Sequence, residues 1–202
     1  IKPVSADDFK IALKGARANV MRIVKGGVVT EKVVREVKSA NGDVRLKGTD
    51  LLKLAIVERH HRTGNIGKAL LEGYGLKGGA IALTISHDSH NFTVSYHDPK
   101  DAFRAAEILR ACGGGICVID GEQETHIALP AAGLMSQKPC AEVAGEIAAV
   151  QSALDVISDG QLTLLATAIM ALPVLPSVVI TDMGLVNGAN QTFVPVFADA
   201  EA

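Results

Sequence analysis

A chain of 202 residues, 48% apolar and 21% charged, has the composition of an ordinary folded protein and is long enough to bury a substantial core as a single domain spanning 1–202. Its 20 Lys+Arg against 22 Asp+Glu leave a formal charge of -2, so there is no basic excess to neutralise a phosphate backbone and nucleic acid is not an expected partner. Aromatic residues are 3% of the chain with no Trp, which argues against a stacking platform for bases or sugars and leaves polar groups and aliphatic walls to grip a small ligand.

The chain begins at Ile1 without Met, as a fragment or processed piece would, and shows no charged-then-apolar leader. Ala18 to Val24 and Val33 to Lys38 alternate as strands joined through Gly26-Gly27, and Asn41-Gly42 signals a turn before Asp43-Val44-Arg45-Leu46. Residues 1–48 are therefore expected to supply leading edge strands. Leu51 to Glu58 is a dense aliphatic run of strand length that ends in the polar cluster Arg59-His60-His61-Arg62-Thr63-Gly64-Asn65. A helix is expected over Ile66 to Tyr74, with Thr63 or Asn65 as its N-cap. The same Thr63-Gly64-Asn65-Ile66-Gly67 stretch could offer backbone N–H groups to an anion, although the fuller dinucleotide fingerprint is absent.

After Gly78-Gly79, Ala80 to Ser86 and Phe92 to Tyr96 read as strands on either side of a second polar cluster, His87-Asp88-Ser89-His90-Asn91. Asp98 as N-cap and Pro99 at the first helical position open a helix with Phe103, Ala106, Ile108 and Leu109 as its apolar stripe, and Gly113-Gly114-Gly115 stops it. Ile116 to Ile119, Asp120-Gly121 and Thr125 to Leu129 read as a hairpin. Residues 49–130 thus form a β-α-β-β-α-β-β core, and the fold class is α/β (mixed α+β), a mixed sheet packed with helices.

In the remainder, 131–202, a helical pair is expected. Val143, Ile147, Val150, Leu154 and Ile157 mark an amphipathic helix over Cys140 to Ile157, and a more apolar one runs from Leu162 to Leu172. The apolar tract at Leu162 to Leu175 is too short to span a bilayer and contains Pro173, so no membrane association and a cytoplasmic location are expected. Val178 to Ile180 and Thr192 to Phe197 read as closing strands across a loop with Gly184 and Gly188. Cys112, Cys117 and Cys140 form no CxxC pair and read as small core hydrophobes.

Four of the six histidines fall in the two polar clusters, each directly after a strand. If those strands are neighbours in one sheet, Glu58, Arg59, His60, His61, His87, Asp88, Ser89, His90 and Asn91 meet at one rim. Imidazoles there can relay protons or bind a transition metal, and Asp88 can fix a tautomer. His87-x-x-His90 alone is a weak metal signature because no third ligand is pinned by spacing, so no metal is assigned to this chain. The competing reading of His60-His61 is a turn with one ring capping a helix or satisfied at a strand end.

Glu58 to Gly67 and Ser86 to Asn91 resemble signature segments of the C-terminal domain of bacterial adenine deaminases, an amidohydrolase family. Similar segments follow in order at Gly73 to Ala82, Gly113 to Gly115, Leu129 to Ser136, Ala171 to Pro176 and Thr181 to Val186. Arg62, where the family often has Gly, and Gln161 to Leu165 depart from its pattern. The resemblance implies hydrolytic deamination of adenine to hypoxanthine and ammonia, with hydroxide on a divalent metal pair (Mn or Fe) attacking C6. It further implies that the metals sit in a (β/α)8 barrel of the same enzyme, which this chain lacks, and no HxH motif of that barrel occurs here. His87, Asp88 and His90 are then the candidate catalytic residues, supported by Glu58, Arg59, His60, His61, Ser89 and Asn91, and the chain alone is expected to be inactive. The alternatives are a structural or dimerisation module in a homo-oligomer, or a free-standing purine-binding protein.

Overall fold

The computed structural model describes residues 1–24 and 29–199, so the expected Gly26-Gly27 connection lies outside the described residues. A 3-10 turn at Ala6–Phe9 precedes β1 (Arg17–Ile23), β2 (Thr30–Glu36) and a small hairpin of β3 (Ser39–Ala40) and β4 (Asp43–Val44). Asn41 and Gly42 both take positive φ, 53° and 77°, as a two-residue hairpin turn requires. Then come β5 (Leu51–Val57), β6 (Ile66–Glu72), β7 (Ala80–Leu83), β8 (Phe92–Tyr96), α1 (Pro99–Ala111), β9 (Gly115–Asp120) and β10 (Gln123–Ala128). The chain continues with α2 (Cys140–Ser158), α3 (Leu164–Ala168), β11 (Val178–Thr181), β12 (Gly184–Asn187) and β13 (Thr192–Val194).

One eight-stranded mixed sheet runs β10-β9-β7-β8-β5-β6-β1-β2, and β11-β12-β13 form a second, three-stranded sheet. Every pairing in the large sheet is antiparallel except that of β1 with β6. Every residue of β5 is buried because both faces of the sheet are covered, which is why the strand reads as a continuous aliphatic run. Leu52, Leu54 and Ile56 face the larger core, closed by Val150, Leu154 and Ile157 of α2 and by Val178, Ile180 and Leu185 of the small sheet. Ala55 and Val57 point the other way, against Ala102, Ala105, Ala106 and Leu109 of α1 and Phe9. Helix α1 begins as expected, with the Asp98 carboxylate accepting from Lys100 N and Pro99 following it.

Four expectations need correction. Ile66 to Tyr74 is not a helix: β6 pairs with β5 from Val57↔Ile66 to Leu51↔Glu72 and with β1 on its other side, so the central order is β-β-β-β-α-β-β. Lys68, Ala69, Leu70, Leu71 and Glu72 have good helix propensity, but two ladders and burial of both faces outweigh a few tenths of a kcal/mol per residue. Thr63 and Asn65 consequently cap no helix. Only β2 is an edge strand of the leading pair, since β1 lies between β2 and β6. The second apolar helix shrinks to Leu164–Ala168, capped by Thr163 and followed by tight turns into Pro173. At the C-terminus, the expected Gly184 loop contains β12, while the last strand stops at Val194 before Pro195.

Candidate functional site

The strands that precede the two polar clusters, β5 and β7, are not direct neighbours. Both pair antiparallel with β8, one on each side, so their C-terminal ends emerge at the same edge of the sheet. The second cluster leads straight into β8, and the two loops, 58–65 and 84–91, therefore meet at one rim.

Glu58 organises the first loop. Its side chain is buried, and the carboxylate accepts N–H bonds from His60, His61 at 2.7 Å and Thr63 at 3.0 Å, with the Thr63 hydroxyl at 3.3 Å. Burial by itself raises its pKa, but the N–H groups of His61, Thr63 and His60 prevail and hold it at about 2. Glu58 is thus an anionic cap for a turn of backbone, with no oxygen free for proton transfer. The Arg59 backbone N–H donates to Asn91 Oδ1 at 3.2 Å, its guanidinium donates to the carbonyls of His90 and, at 2.7 Å, Ala132, and His60 Nε2 donates to Ser89 O at 2.6 Å. A carbonyl can only accept, so these bonds set the His60 tautomer. His61 is exposed and contributes only its backbone N–H to Glu58.

In the second loop, His87 is anchored by its backbone N–H to Ala168 O at 2.9 Å while its side chain stays 50% exposed. Asp88 is 61% exposed, its carboxylate 3.9 Å from His87 Nδ1, too long for a hydrogen bond. Ser89 Oγ accepts from Asn91 N at 3.3 Å. His90 takes a left-handed backbone, φ 52°, with its N–H on Ser86 O, and its ring lies 5.5 Å from that of His87. Its Nδ1 is buried without a hydrogen-bond partner among the described residues. Burial, followed by the neighbouring His87, Arg59 and His60, draws the His90 pKa below 6.5 against the pull of Asp88, so the ring is neutral at pH 7.

Asp182, which no reading of spacing could have placed here, completes the rim. It sits in the β11–β12 turn and accepts from Asn65 Nδ2 at 3.0 Å and Asn91 Nδ2 at 3.5 Å, tying both loops to the small sheet. Gly67 makes the approach possible, because a Cβ there would lie 1.8 Å from Thr181 O. Thr84 supports the rim from below, donating to Gly133 O at 2.6 Å and accepting from Gly115 N at 2.8 Å. A Cβ on Gly133 would sit 2.8 Å from the Arg59 guanidinium, and one on Gly114 would sit 2.5 Å from Gly133 Cα. The Gly113-Gly114-Gly115 run is thus both the α1 stop and a packing surface for the rim. The only sequence signal for these partners is that Thr181 to Val186 and Leu129 to Ser136 are themselves among the family-like segments.

Among the described residues, no three His, Cys, Asp or Glu side chains converge as a metal site requires, so the rim does not make up a ligand set for a metal pair. What it presents is an exposed imidazole and carboxylate beside a neutral imidazole, held in place by a charged, hydrogen-bonded frame. The cavity behind Arg59, lined by Thr84, Phe92, Leu109, Gly113 and Gly114, holds only about 130 Å³, below the ~300–1,000 Å³ of small-molecule sites.

The family described as the adenine deaminase C-terminal domain matches residues 27–192. The chain is 38% identical over 203 residues to an adenine deaminase of Methanothrix thermoacetophila, covering 98% of this chain and 35% of that protein. It is 39% identical over 206 residues to adenine deaminase 2 of Desulfotalea psychrophila, again 98% and 35%, and 37% identical over 197 residues to an adenine deaminase of Listeria welshimeri, 95% and 34%. The chain spans about a third of the length of the curated relatives it matches. On the extent of the family match and on identities above a third along nearly its whole length, the chain belongs to the adenine deaminase C-terminal domain family.

Proposed function

We propose that this chain is the C-terminal domain of a cytoplasmic adenine deaminase and that its rim docks against the rest of the enzyme to help close the purine site. The observation that carries this reading is the convergence of two loops, separated in sequence, on one open edge where His87 and Asp88 face solvent and His90 Nδ1 has no partner among the described residues. Converting adenine to hypoxanthine breaks the C6–N bond, forms a C6–O bond and moves protons from water to the departing ammonia. A neutral imidazole beside an exposed imidazole and carboxylate is suited to that transfer. The small volume behind Arg59 supports a site completed by another segment. The divalent metal pair, Mn or Fe, belongs in this reading to a barrel outside this chain.

In the longer polypeptide, His87→Ala and His90→Ala each lower turnover by about 10²-fold or more with the thermal melt unchanged. Wild-type kinetics in both variants would refute the catalytic role. A second reading, a docking or homo-oligomer module, draws on the exposed apolar side chains of Met135, Leu165 and Met183, each on a segment bound to the rim or beside it. It predicts altered oligomer size with activity per folded enzyme preserved. Equilibrium dialysis of the isolated chain with adenine tests free-standing purine binding.

A further inference from the structure

At the end of the large sheet opposite the rim lies a second concavity, of about 560 Å³, within the ~300–1,000 Å³ range of small-molecule sites. Its floor is Lys53, which is 2% exposed and separated from Glu58 by roughly 17 Å along β5 at ~3.4 Å per residue. Its walls carry Arg45, Lys47, Lys77 and His97.

The charges here are unevenly paired. Both carboxylates at the cavity are already engaged. Asp43 Oδ1 accepts from Ile11 N at 2.8 Å and Val44 N at 2.9 Å, and its Oδ2 takes Lys53 Nζ at 2.5 Å. Asp98 caps α1 through Lys100 N at 2.9 Å. The side chains of Arg45, Lys47 and Lys77, by contrast, are exposed and make no ion pair or hydrogen bond among the described residues. Their backbones are nevertheless fixed. Arg45 N donates to Lys38 O at 2.7 Å, Lys77 N to Ile157 O at 2.8 Å, and Lys47 sits in a turn closed by Thr49 N on Leu46 O at 3.0 Å.

Three cations, Arg45, Lys47 and Lys77, thus stand without a partner among the described residues around two occupied carboxylates, in a chain whose formal charge is -2. Like charges gathered around a concavity repel one another and focus a positive potential into it, which an anionic ligand offsets. The remaining wall is aliphatic, from Val44, Leu46 and Pro99, and the lining carries no Phe, Tyr or Trp side chain. Charge, not base recognition, is therefore the source of affinity. We propose that this cavity binds the phosphate or pyrophosphate group of a small ligand, with Arg45, Lys47 and Lys77 as its contacts and the Lys53–Asp43 pair as its floor. The site is separate from the rim and does not depend on the reading of the rim given above.

The test is isothermal titration of the chain with inorganic pyrophosphate and with AMP at low ionic strength. Saturable 1:1 binding that weakens with added salt is expected. Arg45→Gln and Lys77→Gln each weaken it about tenfold, because a hydrogen bond to a charged group is lost. Lys32→Gln, which removes an exposed cation outside the cavity, leaves it unchanged. Pyrophosphate, the more highly charged ligand, binds more tightly than AMP, whereas AMP binding more tightly would show base recognition and overturn a site built on charge. Absence of saturable binding at millimolar ligand, equal affinity in the Arg45 and Lys77 variants, or displacement of pyrophosphate by a glutamate-rich peptide at lower concentration overturns it. All three substituted side chains are exposed and unpaired among the described residues, so the variants fold, which an unchanged melting temperature checks.

Discussion

Replacing Glu58 by Gln isolates the carboxylate that shapes the first loop. In the native rim one carboxylate oxygen receives the His60 and His61 N–H groups, and the other receives the Thr63 N–H and hydroxyl. A glutamine can present its oxygen to one of these pairs only, and its NH₂ group then faces the donors of the other. Each hydrogen bond to a charged acceptor is worth ~1.5–3 kcal/mol, and part of the loss is recovered because the loop can open to water, so a net cost of about 3 kcal/mol is expected. The pH dependence has a definite sign. Native Glu58 titrates at about 2, below the ordinary carboxylate value of 4.5, so its stabilisation is complete above pH 4.5 and is lost as the pH falls from 4.5 towards 2. Protonated Glu58 resembles Gln. The gap between wild type and Glu58→Gln should therefore close over that window. With no Trp in the chain, urea unfolding is best followed by far-UV circular dichroism and by the near-UV signal of the buried Tyr74 and Tyr96. Equal stability of the two proteins at pH 7, or a gap that persists at pH 2, refutes the assignment of Glu58 as an anionic backbone cap.

Gly67→Ala places a methyl group against Thr181 O and should destabilise by about 1–3 kcal/mol or more through overpacking, with exposure of the β11–β12 turn to proteolysis. Gly42→Ala, at φ 77° with nothing within 4 Å, should cost only the left-handed backbone penalty of about 1 kcal/mol. Thermal melts that rank the two in the opposite order would contradict the packing argument. His90, by NMR titration of the imidazole protons, should ionise below pH 6.5. Because its native pKa is depressed, its contribution to stability is complete above 6.5 and is lost as the pH falls from 6.5 through the lower native pKa. Titration at or above 6.5 would show that the ring is not buried as described.

Local chemistry made several elements legible. Asp98-Pro99 announced α1 because capping and a fixed φ act within a few residues, and the four- and three-residue spacing of Val143 to Ile157 announced α2 because its C-terminal half packs on a single core. The two histidine clusters were recognisable as a candidate site because polar residues crowd directly after aliphatic strands. Within that site, the role of Glu58 was not legible: the residue looks like any carboxylate until the chain closes a turn around it.

What the sequence determined by itself was therefore short-range: strand-length aliphatic runs, helix caps, turn residues and the two polar clusters that carry the family resemblance. Tertiary structure alone decided that Ile66–Glu72 is a strand, since ladders to β5 and β1 supply an environment that propensity does not encode. It also decided that the clusters meet, because β8 separates β5 and β7 yet sends both out at one edge, and that Asp182 joins them from the β11–β12 turn. Backbone conformation follows from neighbours along the chain, whereas the partners of a buried polar group depend on which distant segments the packed sheets bring within hydrogen-bond reach.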